Sequence, residues 1–438
     1  MMRAPGLAAT LAIALTTAPA FAADANYAKA TGTALGTAKL YTQVDPTASL
    51  GGVTVVLGGG TDRQSIAQSG IAALLAEIIE RTPVDGKPLR DAITTQGGTS
   101  SYVITGPYVR YYVESRAERL PAVLRMLGRA LAHPDYSPAT VAAGRTAIGA
   151  RITTEEANPV GVGVRMLAES YYAGAAGLPP LGTTANLAQI ATDDLRTFHD
   201  ATYRGGDAIL TGAGNIVPDT TAAARTLVEG LPGGTAAALD VKTVPFATNP
   251  KRIITHRDIG RPFIVVGFAA PAPGDRDFGA FLVLQSLLDG VFARASATTL
   301  PAVGRPLGTI YMGEEKSASL DVYINGLLTD PTTGLRGLDA VLRTLADKPL
   351  PARAIERYKE RARGTFVTNT VSLADRTGQL AAYVAQGLDA NYADVALEAL
   401  GRSSSADVQR VAKTYLQRYT VAVIFPRERA AEPSAPAN

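Results

Sequence analysis

The chain has 438 residues, 46% of them hydrophobic and 18% charged, an ordinary globular composition with length enough for two domains. Its 42 Lys and Arg against 39 Asp and Glu leave a net charge of +3 with no basic run, which excludes the electrostatic footprint of a nucleic-acid binder. There is no cysteine, so disulfides, thiol chemistry and a lipid-modified cysteine anchor are excluded as well.

Arg3, the apolar run Leu7 to Leu15 and the small-x-small end Ala20-Phe21-Ala22 have the order of a secretory signal peptide over residues 1–22. A buried N-terminal helix is the other reading. An export signal on a Cys-free chain suits a bacterial periplasm, and no later stretch reaches the roughly 20 apolar residues of a membrane span. Ala23 to about Ser49 is a polar lead-in with one strand expected at Ala38–Thr42. Val53–Leu57 then reads as a buried strand, and Ile71, Leu74, Leu75, Ile78 and Ile79 place one helical face and its flank within residues 70–82. A short helix at Pro88–Gln96 ends in Gly97-Gly98, and alternation over Ser101–Val113 predicts a hairpin turning at Gly106-Pro107. Helices are expected at Leu120–Leu131, Pro138–Ala157, Val160–Tyr172 and from Thr192 through Phe198, before a strand at Ala208–Thr211.

Residues 230–250, rich in Gly, Ala, Thr and Pro, read as a linker, after which the pattern repeats. Phe263–Phe268 is a strand like Val53–Leu57, Phe278–Leu288 a helix like Ile71–Ile79, and Ser319–Ile324 alternates like the earlier hairpin. Asp407-Val408-x-x-Val411 before the strand Val421–Phe425 matches Asp194-Leu195-x-x-Phe198 before Ala208–Thr211. The expectation is an α+β internal duplication with domains at 23–229 and 251–428 and a disordered tail at 429–438.

Several blocks fall in a fixed order: Gly70-x-Ala72, Gly97-Gly98, His133-Pro134, Asn158-Pro159, Leu181-Gly182-Thr183, Phe198 through Tyr203-Arg204 into Ala208-Ile209-Leu210-x-Gly212, then Val266-Gly267-Phe268, Leu287-Leu288-x-Gly290 and Arg294. Over nearly the whole chain this set resembles the pitrilysin/insulinase-type zinc metallopeptidases and the mitochondrial processing peptidase subunits. The resemblance implies two homologous α/β-sandwich domains, each an antiparallel-rich sheet packed with helices, in a clam-shell.

The family's inverted zinc motif, Gly-x-Ala-His-x-x-Glu-His, falls on Gly70 to Glu77, where Ala73 stands for the first histidine, Ala76 for the general base and Glu77 for the second histidine. The third ligand, counted back from Asn158-Pro159, falls on Arg151, whose charge would repel a dication. The hairpin asparagine of active members is Ser101 here, followed by Tyr102. His133, His199 and His256 form no i,i+3 or i,i+4 pair and read as surface or capping residues. No metal or other cofactor is therefore expected. Glu77 either pairs with Arg151 across the vacated site or is solvated at the helix edge.

In two-chain members of this family the metal-free subunit supplies an Arg and a Tyr that grip the substrate. The matching residues are Arg305 and Tyr311, which read equally as a surface Arg and a packed Tyr beside a Gly-Pro turn. The resemblance implies a non-catalytic subunit that positions peptide for a zinc-bearing partner of the same fold; a stand-alone peptide-binding or assembly scaffold is the alternative.

Overall fold

The computed structural model describes residues 29–172, 174–238, 250–298, 305–313, 318–325 and 345–427, with isolated positions between 335 and 343. The leader expected at 1–22, residues 239–249 of the proposed linker and the 429–438 tail lie outside the described residues.

The first half is built on a six-stranded sheet. Its strands are β1 (Thr31–Leu35), β2 (Ala38–Val44), β3 (Leu50–Leu57), β6 (Thr99–Ile104), β7 (Val109–Arg116) and β8 (Ile209–Gly214), in the order β1-β2-β8-β3-β7-β6. A two-residue hairpin, β4 (Pro83–Val84) with β5 (Lys87–Pro88), stands apart. The second sheet contains β9 (Arg252–Arg257), β10 (Phe263–Ala269), β11 (Arg305–Met312), β12 (Ser319–Asn325) and β13 (Thr420–Pro426), in the order β11-β12-β10-β13-β9. Read from β9, that order repeats β2-β8-β3-β7-β6, and each sheet has one parallel contact at the same place, β2 with β8 and β9 with β13. The repeat inferred from strand patterns is thus a repeat of topology.

Helix α1 (Ile71–Arg81) starts where Gly70 takes φ 94°, a left-handed conformation that favours glycine. A Cβ on Gly70 would meet the Leu181 carbonyl oxygen at 2.6 Å, and one on Gly182 would meet the Ser69 carbonyl oxygen at 2.2 Å. Two of the ordered blocks are therefore two backbones in contact. The helix is not amphipathic in place, since every residue from Ile71 to Glu80 is buried. α2 (Leu89–Thr95), α3 (Leu120–Ala132) and α4 (Pro138–Glu156) follow, and α1 and α3 pack with Val53, Val55 and Leu57 in the first core. The Asn158-Pro159 block has a local cause as well. Asn158 caps α5 (Pro159–Tyr171) by accepting from the Val160 N–H at 3.1 Å, and Pro159 occupies a first-turn position that needs no donor.

After α6 (Thr184–Gln189), α7 (Thr192–Thr202) and α8 (Pro218–Gly230), the second half adds α9 (Phe278–Thr298), α10 (Ala352–Thr368), α11 (Leu373–Ala385), α12 (Tyr392–Arg402) and α13 (Ser405–Tyr415). Phe281, Leu284 and Leu288 of α9 meet Val266, Phe268 and Leu320 in the second core. The halves exchange one helix each. Val162, Leu167 and Tyr171 of α5 pack on Phe263, Val265 and Ile424 of the second sheet. In return α11 lies on the first sheet, where Ala381 packs with Val56, the Thr377 and Thr54 hydroxyls lie 2.7 Å apart, and Thr211 donates to the Thr377 carbonyl at 2.8 Å.

The lead-in differs from expectation: it forms a hairpin of two strands turned at Gly36, φ 76°. Four of five β1 side chains are exposed, so this edge strand carries no apolar alternation to reveal it.

Candidate functional site

The resemblance places the metal on α1, facing β6 and α4. Ala73 and Ala76 are fully buried and offer methyl groups where a ligand and a base would stand. Glu77 is buried and held from three sides. Arg81 Nε donates to its Oε1 at 2.9 Å, the Tyr102 hydroxyl donates to its Oε2 at 2.9 Å, and Arg90 Nη2 lies 4.0 Å from Oε2. Its neighbour Glu80 accepts from Ser100 Oγ at 2.8 Å and faces Arg90 Nε at 3.3 Å. Burial nevertheless pushes the Glu80 carboxyl above its ordinary pKa, against Ser100 and Arg90.

The direct Glu77–Arg151 pair, one of the two readings of the sequence, is not formed. Arg151 Nη1 donates to the Tyr102 hydroxyl at 2.5 Å, its guanidinium lying 5.3 Å from that ring's centre, so the charge reaches Glu77 through the phenol. The reason is steric and local: β6 puts Tyr102 between α1 and α4, and Arg81, one helical turn from Glu77, already occupies the other carboxylate oxygen. The alternative of a solvated Glu77 fails too. Burial, Glu77 and the phenol–carboxylate bond together push the Tyr102 hydroxyl well above its ordinary pKa, so it acts as a donor throughout the neutral range. Sequence reading missed Arg81, Arg90 and Ser100. Only the i,i+4 spacing of Glu77 and Arg81 could have signalled one of them.

The histidines are structural. His199 is buried, its Nε2 2.8 Å from the Leu131 carbonyl and its Nδ1 3.2 Å from Asp200 Oδ1; His133 caps α3, and His256 stacks on Phe425. Among the described residues no three His, Cys, Asp or Glu side chains converge to hold a metal ion. What the site can do chemically is hold a helix, a hairpin and α4 together by charge-assisted hydrogen bonds.

Beside this cluster a cleft of about 600 Å³ opens between the halves, with Ser101, Tyr102 and Tyr112 on one side and Tyr311 and Phe278 on the other. A second space of about 540 Å³ shares Val103, Arg110 and Tyr311 with it and runs beneath α5. Both are bordered by terminal strands, β6 of the first sheet and β11 of the second. Tyr311 is packed on Phe281 with ring centres 5.1 Å apart, and its hydroxyl donates to the Pro271 carbonyl at 2.7 Å. Arg305 and Tyr311 begin and nearly end the same strand, roughly 20 Å apart at about 3.3 Å per residue. The side chain of Arg305, one half of the expected grip, lies outside the described residues.

Residues 189–361 match the family model described as the peptidase M16 inactive domain. Solved structures show the same fold over almost the entire chain. A protease from Helicobacter pylori superposes with a TM-score of 0.80 at 16% identity, covering 91% of this chain and 100% of that one. The chain has the fold of the pitrilysin-type, M16 peptidases, and its residues 189–361 match that family's inactive domain. A peptidase M16 inactive domain from Pseudomonas fluorescens (TM-score 0.76, 15% identity, 92% of this chain and 99% of that one) is similar in the same way. So is a putative M16-like peptidase from Alicyclobacillus acidocaldarius (TM-score 0.74, 15% identity, 91% and 98%). No curated protein matches the chain by sequence. On the resemblance drawn from the sequence, Ala73, Ala76, Glu77 and Arg151 fall at the positions of the inverted zinc motif and its third ligand. Among its described residues no helix is long and apolar enough to cross a membrane.

Proposed function

We propose that this chain is the metal-free subunit of a two-chain, exported peptidase, binding extended peptide and presenting it to a zinc-bearing partner of the same fold. One observation supports the reading: where the resemblance puts the catalytic residues there is an ion-pair and hydrogen-bond cluster around Glu77, while the adjoining cleft stays open. β6 pairs with β7 alone among the described strands, so its free edge presents backbone donors and acceptors beside that cleft. An extended peptide added there gains main-chain hydrogen bonds at modest sequence selectivity. Tyr311 supports the cleft wall in this reading, and a paired Arg–Tyr grip with Arg305 is not part of it.

The test is co-expression with a chain from the same genome that keeps an intact His-x-x-Glu-His helix, followed by size-exclusion, zinc content of each chain and peptide cleavage by each alone and together. Stable association, zinc in the partner only and faster cleavage by the pair are expected. Cleavage by this chain alone, abolished by a chelator, would overturn the proposal.

A further inference from the structure

Asp321 sits in the middle of β12, opposite Gly267 of β10 and Ile310 of β11, with 2% of its surface exposed. Its strand neighbours Leu320 and Val322 enter the second core. By alternation Asp321 faces the other way, towards α5, where it lines the 540 Å³ space beneath that helix. Its Oδ1 is buried and has no hydrogen-bond partner among the described residues. A buried polar atom is rarely left unpaired, and a carboxylate less readily than a hydroxyl, so the position calls for a partner that arrives with a ligand.

The surroundings restrict that partner. The walls are largely apolar, with Leu167 and Tyr171 from α5, Met312 from β11 and Val103 from the peptide-binding edge β6. The charged groups that also line the space have other engagements or other signs. Arg110 donates to the Gly378 carbonyl at 3.3 Å, Arg165 lies 3.9 Å from Glu169, and Glu155 is an anion. A largely apolar space with the Asp321 carboxyl at its buried end matches a long aliphatic stem with a cationic end, which turns the carboxyl, neutral while the space is empty, into one half of an ion pair.

We propose that the space beneath α5 is a side-chain pocket for a lysine or arginine of a bound peptide, with the stem between Leu167, Tyr171 and Met312 and the cationic end on Asp321. The pocket rests on the peptide-binding reading above, and it gives that reading a preference for basic segments. Strand β6 connects the two, because Val103 lies on the free edge and in the pocket wall.

The experiment compares the full chain with Asp321→Asn. Fluorescent extended peptides that differ at one central position, Lys, norleucine or Glu, are titrated by anisotropy, and thermal shifts are read with n-hexylamine and n-hexanol. For the native chain the Lys peptide should bind about tenfold tighter than the norleucine peptide, the size of one charge-assisted hydrogen bond. In Asp321→Asn the ratio should fall to within about twofold while norleucine binding is unchanged. Peptide binding with the same Lys preference in both proteins, or with none in the native chain, overturns the pocket and leaves the peptide-binding reading standing. No peptide binding, with hexylamine stabilising the native chain but not the variant, keeps the pocket and overturns the peptide reading. Neither peptide binding nor a hexylamine shift overturns both.

Discussion

The buried carboxyl of Asp321 has a consequence for stability that needs no ligand. Burial alone raises its pKa from 3.8 to about 8. An unfolded chain releases this proton near pH 4 while the folded chain retains it to near pH 8. Folding stability is therefore lost as pH rises through that window, is unaffected by this group below it, and levels off above it. At pH 7 the interval from 3.8 is about three units, and at 1.36 kcal/mol per unit the carboxyl costs about 4 kcal/mol. Asp321→Asn keeps the shape and removes the titration. Its amide has its own cost of burial, but that cost does not change with pH. Urea unfolding of both proteins at half-unit steps from pH 4 to pH 9 isolates the group, because everything else they share cancels in the difference. The variant should gain on the native chain by about 1.4 kcal/mol per pH unit up to about pH 8 and then run parallel. Parallel curves across the whole range would refute the argument, since they would mean that the carboxyl is ionised and partnered in the folded protein.

Tyr102→Phe removes the hydroxyl that joins Arg151 to Glu77 and should cost roughly 1–3 kcal/mol in urea unfolding, with Arg151→Ala adding little in the Phe background and more in the native one. At Gly163 a Cβ would stand 2.2 Å from Val265 Cγ2 and 3.3 Å from Ile424 Cδ1, so Gly163→Ala should lower stability by about 1–3 kcal/mol through overpacking of α5 on the second sheet. A chain cut between residues 230 and 250 tests the exchange of helices. Residues 23–229 alone should bind a hydrophobic dye and aggregate, since Val56 and Tyr108 lose α11 and Val162 and Tyr171 lose their sheet. Co-expressed halves should associate into a dye-silent complex.

Much of the architecture was legible because strands and helices announce themselves by period. Helices α3, α4 and α5 are placed within about one residue and the hairpin over β6 and β7 within about three, and the topological repeat has its outline in Phe263–Phe268 and Ser319–Ile324. What escaped was structure without contrast. β1 shows solvent on four of five side chains, β9 reads Arg-Ile-Ile-Thr-His-Arg along a sheet edge, and α8 is a run of Thr and Ala that gains its pattern only against α3. The candidate site was half legible. That Ala73, Ala76 and Arg151 cannot make a zinc centre follows from their chemistry alone, but that Glu77 is buried does not, because a Glu on a helix is usually a solvent position. Its burial depends on Tyr102 and Arg90, which sit 25 and 13 residues further along the chain and reach it only through the fold.

The exchange of α5 and α11 also bears on how a duplicated fold holds an open cleft. Two halves joined by a linker alone would be free to separate, and a cleft between them would have no defined width. Here each sheet borrows its second cover from the other half, and the borrowed surfaces are apolar or hydrogen-bonded, Leu167 and Tyr171 on one side and Thr54, Thr211 and Thr377 on the other. Both borrowed helices line a space between the halves as well, α11 the cleft through Tyr383 and α5 the adjoining 540 Å³ space through Tyr171. The contacts that hold the halves together thus also form walls of the space between them. The cluster around Glu77 adds a further tie within the first half, joining α1 to α4 through Tyr102 and Arg151. The cleft of about 600 Å³ is therefore bounded by elements that each half anchors in the other, and its width follows from the same packing that holds the halves together.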